Sequence, residues 1–531
     1  MNQLLTTSPW KSPPNIVALI AVLIGAIDMT VVATILPSMI SDLGINTADI
    51  DRYIWVVNSY LIAYVVSIPI VGRLSDVIGV RTVFVVACLV FMAGSIWCAR
   101  AESLQDLVIA RSIQGFGGGA LLPIALSVAA QTFTGAHRAQ AIGAVGAIDT
   151  LGWVSGPAYG ALITHQFTSI QEPWRLVFWI NVPVALALLG VARMLPTSGS
   201  SDRGWRAIHQ SLRPVISKLD IPGFALLTIL LVSINMALVS GGEIGATAGR
   251  GLRAFGGTSN PLADLIPWLL ATSAVALLLL IVHVRGRHNT FLPRGLLRNA
   301  SYRSSLIANA LLGTVLMTGM VNVPVIVALA ETSTDTGVRS AILLAPFTLS
   351  IAISSILSGR LLRQFSPRLI TMTGLAVAVA GNLMIYPLLE ALHYQWMAIG
   401  LGVAGAGVGL ALTPLSTTAL DSSTSSSYGV AASSLLVFRL LGMTVGVSLL
   451  TSIGVQRLQV LTGAINPIVR TQSESTAAFL LRQQEFIIDH AVPLGVQVIQ
   501  ETFIVAAILT ACAFIPARAL GRSPSSDHQD G

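Results

Sequence analysis

Two carboxylates stand where carboxylates are costly. Asp28 lies about 12 residues into an apolar run that closes at Leu36-Pro37, and Asp149 lies within another, three residues before Gly152. An ionisable group at such depth faces a partner, a cavity or water, so each reads as functional by default. The chemistry open to them is proton exchange, because an acid that is wetter in one conformation than in another binds its proton in step with the change. Arg111 offers itself to Asp28. If their two helices run antiparallel, roughly 7 Å of depth separates the backbones at 1.5 Å per residue, a gap an arginine side chain spans. A purely structural ion pair is the alternative, and its desolvation cost makes stability a poor reason for keeping one. Asp149 has no basic residue in its own run, so it is the acid expected to respond to conformation unless Arg439 reaches it. Asp28 and Asp149 are therefore the proton-coupling candidates, with Arg111 tuning Asp28 and Arg439 a further cavity charge.

Beside Asp149, Gly152, Gly156 and Gly160 recur every four residues with Pro157 among them. They make a smooth groove along one helix face where another helix approaches closely. The expectation is that this face packs against the other half of the molecule, so that rocking of the halves changes the hydration of Asp149. Helix packing alone is the simpler account of the glycines.

The elements that hold these residues are set by composition. Of 531 residues 54% are hydrophobic and 10% charged, with mean hydropathy +0.78, which excludes an ordinary soluble domain and indicates a multi-pass membrane protein. Apolar windows place spans near 16–37, 54–74, 82–99, 106–130, 139–163 and 175–195, then 220–240 and 263–284, then 303–329, 338–361, 368–389, 396–417, 428–455 and 497–517. The expected fold is thus all-α, with fourteen transmembrane helices. The first span is too long for a signal-peptide core and lacks a cleavage site, so it reads as retained. With the N-terminus in the cytoplasm, 19 of the 30 Lys and Arg fall in cytoplasmic segments and 9 in outer ones. The positive-inside rule then puts both termini in the cytoplasm. Basic residues concentrate at Arg203, Arg206, Arg213 and Lys218 and at Arg285, Arg287, Arg294, Arg298 and Arg303, while the stretches 241–262 and 456–496 read as outer loops, the second with a short surface helix. Cys88, Cys98 and Cys512 form no paired pattern, so neither a disulfide framework nor a metal site is expected, and no cofactor is implied.

An internal repeat divides the chain. Gly72-Arg73-Leu74 with Arg81 recurs as Gly359-Arg360-Leu361 with Arg368, each after one span and before the next. Two related halves indicate a six-helix bundle over 1–195, two linker helices with flanking loops over 196–300, and a second six-helix bundle with its tail over 301–531.

In these residues the chain resembles the major facilitator superfamily, in its fourteen-helix drug:proton antiporter branch. Asp28-Met29-Thr30-Val31-Val32 is similar to the helix-one motif of that branch. Gly72 to Arg81 resembles the loop after helix two, keeping Gly72, Asp76, Gly79 and Arg81, though Val77 and Val80 replace basic residues and the second copy lacks the acid. Arg111 to Gly115 resembles the helix-four motif, and Gly152 to Gly160 the antiporter motif of helix five, with Ala161 where a last glycine is usual. Trp174-Arg175 and Phe178 to Pro183 match the start of helix six, and Arg439, Gly442 and Gly446 fit helix thirteen. The resemblance implies that Asp76 pairs with Arg81 or with a helix N-terminus in one state and releases it in the other.

The leading expectation is a plasma-membrane secondary transporter that exports apolar or cationic small molecules in exchange for protons. Its partners would be that substrate, protons and membrane lipids, with no nucleic acid. The alternative is lipid export, because Gly119-Ala120-Leu121-Leu122-Pro123 and the start of helix six resemble the mycobacterial lipid exporters of the branch. Those extend helices eleven and twelve beyond the membrane, whereas the turn from about Glu390 to Gln395 here is short, which counts against lipid hand-over. A phosphate-binding loop is excluded, since neither Lys11 nor Lys218 follows a glycine. A membrane receptor or lipid-modifying enzyme is the remote alternative. No nucleophile and base stand together, so no catalytic residue is expected.

Overall fold

The computed structural model describes residues 9–43, 54–167, 170–196, 220–241, 265–286, 294–330, 336–390, 393–424, 426–462 and 492–521, with isolated positions at 290 and between 475 and 490. Among these residues the fold is all helical. The first six long helices are α1 (Pro13–Asp42), α2 (Ile54–Ile78), α3 (Val80–Arg100), α4 (Leu104–Thr132), α5 (Gly135–Gln166) and α6 (Arg175–Val191). Then come α7 (Ile221–Gly241) and α8 (Ile266–Gly286). The last six are α9 (Ala300–Ala330), α10 (Thr336–Leu361), α11 (Pro367–Leu388), α12 (Met397–Asp421), α13 (Tyr428–Thr462) and α14 (Val492–Cys512). Helices are what such apolar runs must form, since within hydrocarbon every backbone polar group has to be satisfied inside its own segment.

Length and hydropathy single out twelve of the described helices as able to cross a membrane, short of the fourteen expected. The remaining two are α7, apolar over the shorter stretch Ile221–Ala237, and α5, whose glycines, Asp149 and polar ends dilute its apolar content. The segment bearing Arg203, Arg206, Arg213 and Lys218, the 242–264 loop, Arg287, and most of 463–491 with Arg470 lie outside the described residues. The turn between α11 and α12 is short, as the sequence indicates, and a 3-10 turn Tyr394–Trp396 leads into α12. The long element is α13, whose 35 residues span about 52 Å at 1.5 Å per residue.

Local signals fix the turns. Ser103 caps α4 by accepting from Asp106 N at 3.1 Å, and Ser366 caps α11 with Pro367 in its first turn. Between α2 and α3 the chain reverses through Gly79, whose φ of 92° is a conformation that side chains resist.

The helices pack as two sets. Within the first, α1 lies along α5, α2 along α4, and α3 against α4 and α6; within the second, α9 lies along α13, and α12 along both α10 and α11. The sets meet where α5 runs along α10 and α2 along α13, while α7 and α8 form a pair beside α2 and α13. The start of α1, the end of α2, the start of α5, the end of α10 and the start of α13 share one end of the bundle, called here the proximal end. One apolar core fills the first set and reaches Leu420, Val430 and Leu435 at that end, and a second fills α9 to α12 with α14.

The glycine groove of α5 packs differently from expectation. Its neighbour is α1, in the same half: a Cβ on Gly152 would meet Ala26, one on Gly156 would meet Thr30 Oγ1, and one on Gly160 would meet Thr34 Oγ1. Pro157 lies half-buried inside the helix. Contact with the other half falls two turns earlier on α5, where Gly143 faces Ser355 O of α10 and Ala139 faces Gly359. Overpacking a tight contact costs about 1–3 kcal/mol. Gly156→Val should therefore lower the apparent melting temperature in detergent by several degrees, whereas Gly146→Ala, where an added Cβ meets nothing, should leave it unchanged. Equal melting of the two variants would contradict the α1 to α5 contact.

Candidate functional site

Asp28 is enclosed by groups from four helices. Its Oδ2 pairs with Arg111 Nη1 of α4 at 2.9 Å, and its Oδ1 accepts from Gln114 Nε2 of α4 and from Asn181 Nδ2 of α6, each at 2.8 Å. Both members are fully buried, at 1% and 0% exposure. Gln114 ties the group together: its Oε1 accepts from Arg111 Nη1 at 2.7 Å and its Nε2 also donates to Ser95 Oγ of α3 at 2.9 Å. The Arg111 guanidinium lies 4.0 Å from the ring centroid of Tyr60 on α2, a cation to aromatic-face contact. The local sequence explains how this closeness is reached. Gly94, Gly115 and Gly117 leave no room for side chains where α4 meets α3 and α2, so these helices approach closely beside the polar residues. The depth argument brought Asp28 and Arg111 together correctly. Asn181, Gln114 and Ser95 have no pattern of their own, although the first two sit within stretches the sequence singles out.

Asp149 does not stand alone. Arg439 Nη2 of α13 reaches its Oδ2 at 3.0 Å, joining the two helix sets at mid-depth. The expectation of an unopposed acid gives way to its stated exception. Arg439 is carried there by close packing of α13 on α9, where Gly313 faces Arg439 O and Gly442 faces Ala310 O, and Thr314 Oγ1 donates to Gly442 O at 2.9 Å. Tyr64 of α2 lies within electrostatic reach of both Asp149 and Arg439 and stacks on Tyr60 at 6.0 Å, and Tyr60 in turn carries the Arg111 guanidinium on its face.

Among the described residues, the proximal end holds the remaining polar contacts between the sets. Asp76, at the end of α2, accepts from Gly429 N at 2.8 Å and Val430 N at 2.9 Å, placing its charge on the N-terminus of α13. Gly72 and Gly429 allow that approach, since a Cβ on either would strike the other helix. Of the two partners implied for Asp76, the structure shows the helix terminus. Arg81 donates elsewhere, to the carbonyls of Arg193 and Leu195 after α6, the second at 2.6 Å. In the second copy of the repeat Arg363 occupies the place of the acid, and Gln140 of α5, with its amide oxygen turned toward it, accepts at 2.8 and 3.0 Å. Arg138 of α5 completes the closure, pairing with Asp421 at 2.7 Å and donating to the Tyr428 hydroxyl at 3.1 Å. Sequence reasoning missed this last contact, whose members are 283 residues apart and lie in no repeat. Among the described residues no group of three His, Cys, Asp or Glu side chains could hold a metal ion.

The family model described as Major Facilitator Superfamily matches residues 18–447. A triacylglyceride transporter of Mycolicibacterium hassiacum is 30% identical over 457 residues, covering 82% of this chain and 78% of its own. A probable triacylglyceride transporter of Mycobacterium leprae is 31% identical over 465 residues, 84% of each. The triacylglyceride transporter of Mycobacterium tuberculosis is 29% identical over 530 residues, 96% of this chain and 94% of its own. Among solved structures, the human organic anion transporter MFSD10 superposes with TM-score 0.59 at 13% identity, covering 95% of this chain and 99% of that one. FucP in its outward conformation gives 0.56 at 12%, covering 96% and 99%. At such identities these structures speak for the fold alone.

Removing one partner of a buried ion pair leaves an uncompensated charge, a loss of about 3–5 kcal/mol. Arg111→Met should therefore lower the apparent melting temperature more than the double variant Asp28→Asn, Arg111→Met, in which no charge is stranded. Thermal unfolding in detergent checks this, and a double variant less stable than the single one would contradict the pairing.

Proposed function

Since the chain belongs to the major facilitator superfamily, we propose that it is a proton-coupled exporter of lipids of the triacylglyceride class, working by alternating access. It is a multi-pass transporter and not an enzyme. The observation that carries the mechanism is one-sided closure: among the described residues the polar contacts between the α1 to α6 and α9 to α14 sets lie at the proximal end and, through Asp149 and Arg439, at mid-depth. We read 1–195 and 301–531 as the two rocking bundles, 196–300 as their linker, all fourteen long helices as crossing, and the proximal end with both termini as cytoplasmic at the plasma membrane. The side opposite the closed end is then the one open to the exterior.

The lipid reading draws on the names and extent of the relatives, three of them triacylglyceride transporters aligned over more than four fifths of this chain. It also has a physical argument. Each mid-depth acid already holds an arginine, Asp28 with Arg111 and Asp149 with Arg439, so neither offers a free negative charge to a cationic drug. A neutral apolar cargo asks for no such charge. Proton coupling enters through Asp149, because protonation cancels its attraction for Arg439 and so loosens the contact between the halves. Asp28 and Arg111 hold α1, α4 and α6 as one body while this happens. Asp76 on the α13 terminus, with Gly72, Gly79 and Arg81 shaping the turn, re-forms the closed end in each cycle.

Two measurements check the reading. In proteoliposomes, a proton gradient should drive transfer of trioleoylglycerol to an acceptor, and Asp149→Asn should make the remaining transfer independent of the gradient; gradient-driven movement of a cationic dye without movement of the glyceride would contradict it. In intact cells of a cysteine-free variant, Ser426→Cys should resist a membrane-impermeant thiol reagent and His393→Cys should react, and the reverse pattern would overturn the orientation.

A further inference from the structure

Next to the ion pair between the halves lies a cluster that the transport cycle as described does not use. Trp153 is four residues beyond Asp149 on α5, and Met443 is four beyond Arg439 on α13, so each sits on the face of its helix that bears the charge. They meet in a small apolar cluster with Ala26 of α1, flanked by Met29, Leu440, and Met317 and Met320 of α9. Four methionines from three helices thus surround one tryptophan between the two halves. Methionine is unbranched, flexible and polarisable, and it suits surfaces that must reshape around variable apolar partners.

Two polar atoms in this setting lack a close partner. The indole Nε1 of Trp153, which is 8% exposed, makes no close hydrogen bond, and its one long-range acceptor is the Asp149 carboxylate, which Arg439 already holds. Arg439 Nε is likewise buried and without a partner, while Nη2 of the same guanidinium is held by Asp149. Both groups are donors only. A buried donor left unpaired costs about 1–3 kcal/mol, so a ligand that supplies an acceptor is favoured here. The cluster also carries no net charge, because Asp149 balances Arg439.

We propose that this junction of α1, α5, α9 and α13 is the subsite that recognises an ester carbonyl of the lipid, with the Trp153 indole and Arg439 Nε as donors and the methionines as the bed for an acyl chain. The proposal rests on the lipid reading above and deepens it. It selects by chemistry: the ligand needs acceptor oxygens, no donors, no positive charge and long apolar chains, which describes an acyl glyceride and not a cationic drug. It also ties cargo to coupling, since an ester seated on Arg439 contacts the same guanidinium that holds Asp149.

The test compares trioleoylglycerol with its tri-O-oleyl ether, which keeps the chains and lacks the carbonyls, as competitors of a diazirine-bearing trioleoylglycerol photoprobe on the full-length protein in nanodiscs. The ester should displace the probe at about a tenfold lower concentration than the ether, the ratio expected for a hydrogen bond to a charged donor. Adducts should fall on Met29, Met317, Met320, Met443 or Trp153. Trp153→Phe, which keeps a ring and removes the N–H, should weaken displacement by the ester about fivefold and leave the ether unchanged. Equal potency of ester and ether on the unmodified protein overturns the subsite without needing any variant, and leaves the lipid reading standing if the probe is still captured. Full ester preference retained in a folded Trp153→Phe protein overturns the role of the indole. No capture of the probe by a protein that transports a cationic dye overturns the lipid reading and the subsite together.

Discussion

Holding a carboxylate inside hydrocarbon is the constraint from which most of this architecture follows. Water is not there to solvate the charge, so the protein has to bring counter-charge and donors to it. For Asp28 that demand recruits α4 and α6 directly and α3 through Gln114, which welds the first half around one atom group. For Asp149 the counter-charge comes from the opposite half, and the two sets are thereby joined at mid-depth. The same chemistry has two consequences that depend only on where the arginine comes from. A pair within one half stiffens that half, and a pair across the halves makes their contact conditional on charge.

The proximal end repeats this logic at lower cost. Asp76 is closer to the membrane boundary, and instead of an arginine it uses the positive end of the α13 dipole and two backbone donors. The pseudo-symmetric contact between α5 and α10 carries Arg363 and Gln140 in place of an acid and a helix terminus. The two interfaces that close this end are thus alike in backbone and different in charge, and Arg138 with Asp421 adds a third clasp beside them.

Much of this was legible in the chain because lipid simplifies the code. The apolar runs give helices whose bounds agree with the structure within a few residues for most spans, and the linker pair at Ile221–Gly241 and Ile266–Gly286 falls where hydropathy places it. Asp28 and Arg111 were legible because charged residues are rare in such runs and their depths match. The partner of the glycine groove was not legible, since Gly152, Gly156 and Gly160 announce a close neighbour without saying which, and α1 supplies it through Ala26, Thr30 and Thr34. Tyr60 and Ser95 were invisible as site members because neutral polar and aromatic residues are unremarkable within a span, and Asn181 and Trp153, though inside stretches the sequence singles out, carry no signal of their own. Their roles come from tertiary packing, as does the contact of Arg138 with Asp421. The fourteen crossings expected from the sequence exceed the twelve that length and hydropathy support among the described helices, and α5, with its glycines and Asp149, is one of the two that fall short.

The central claim is that the ion pair between Asp149 and Arg439 holds the proximal ends of the two halves together. Spin labels at Thr134, before α5, and Gln364, after α10, are exposed positions that flank this closure, and pulsed electron resonance reads the distance distribution between them. If the claim holds, Asp149→Asn shifts the population toward a longer distance, and Arg439→Gln does the same. A distribution unchanged in both variants would mean that the halves are held by the proximal contacts alone, and would contradict it.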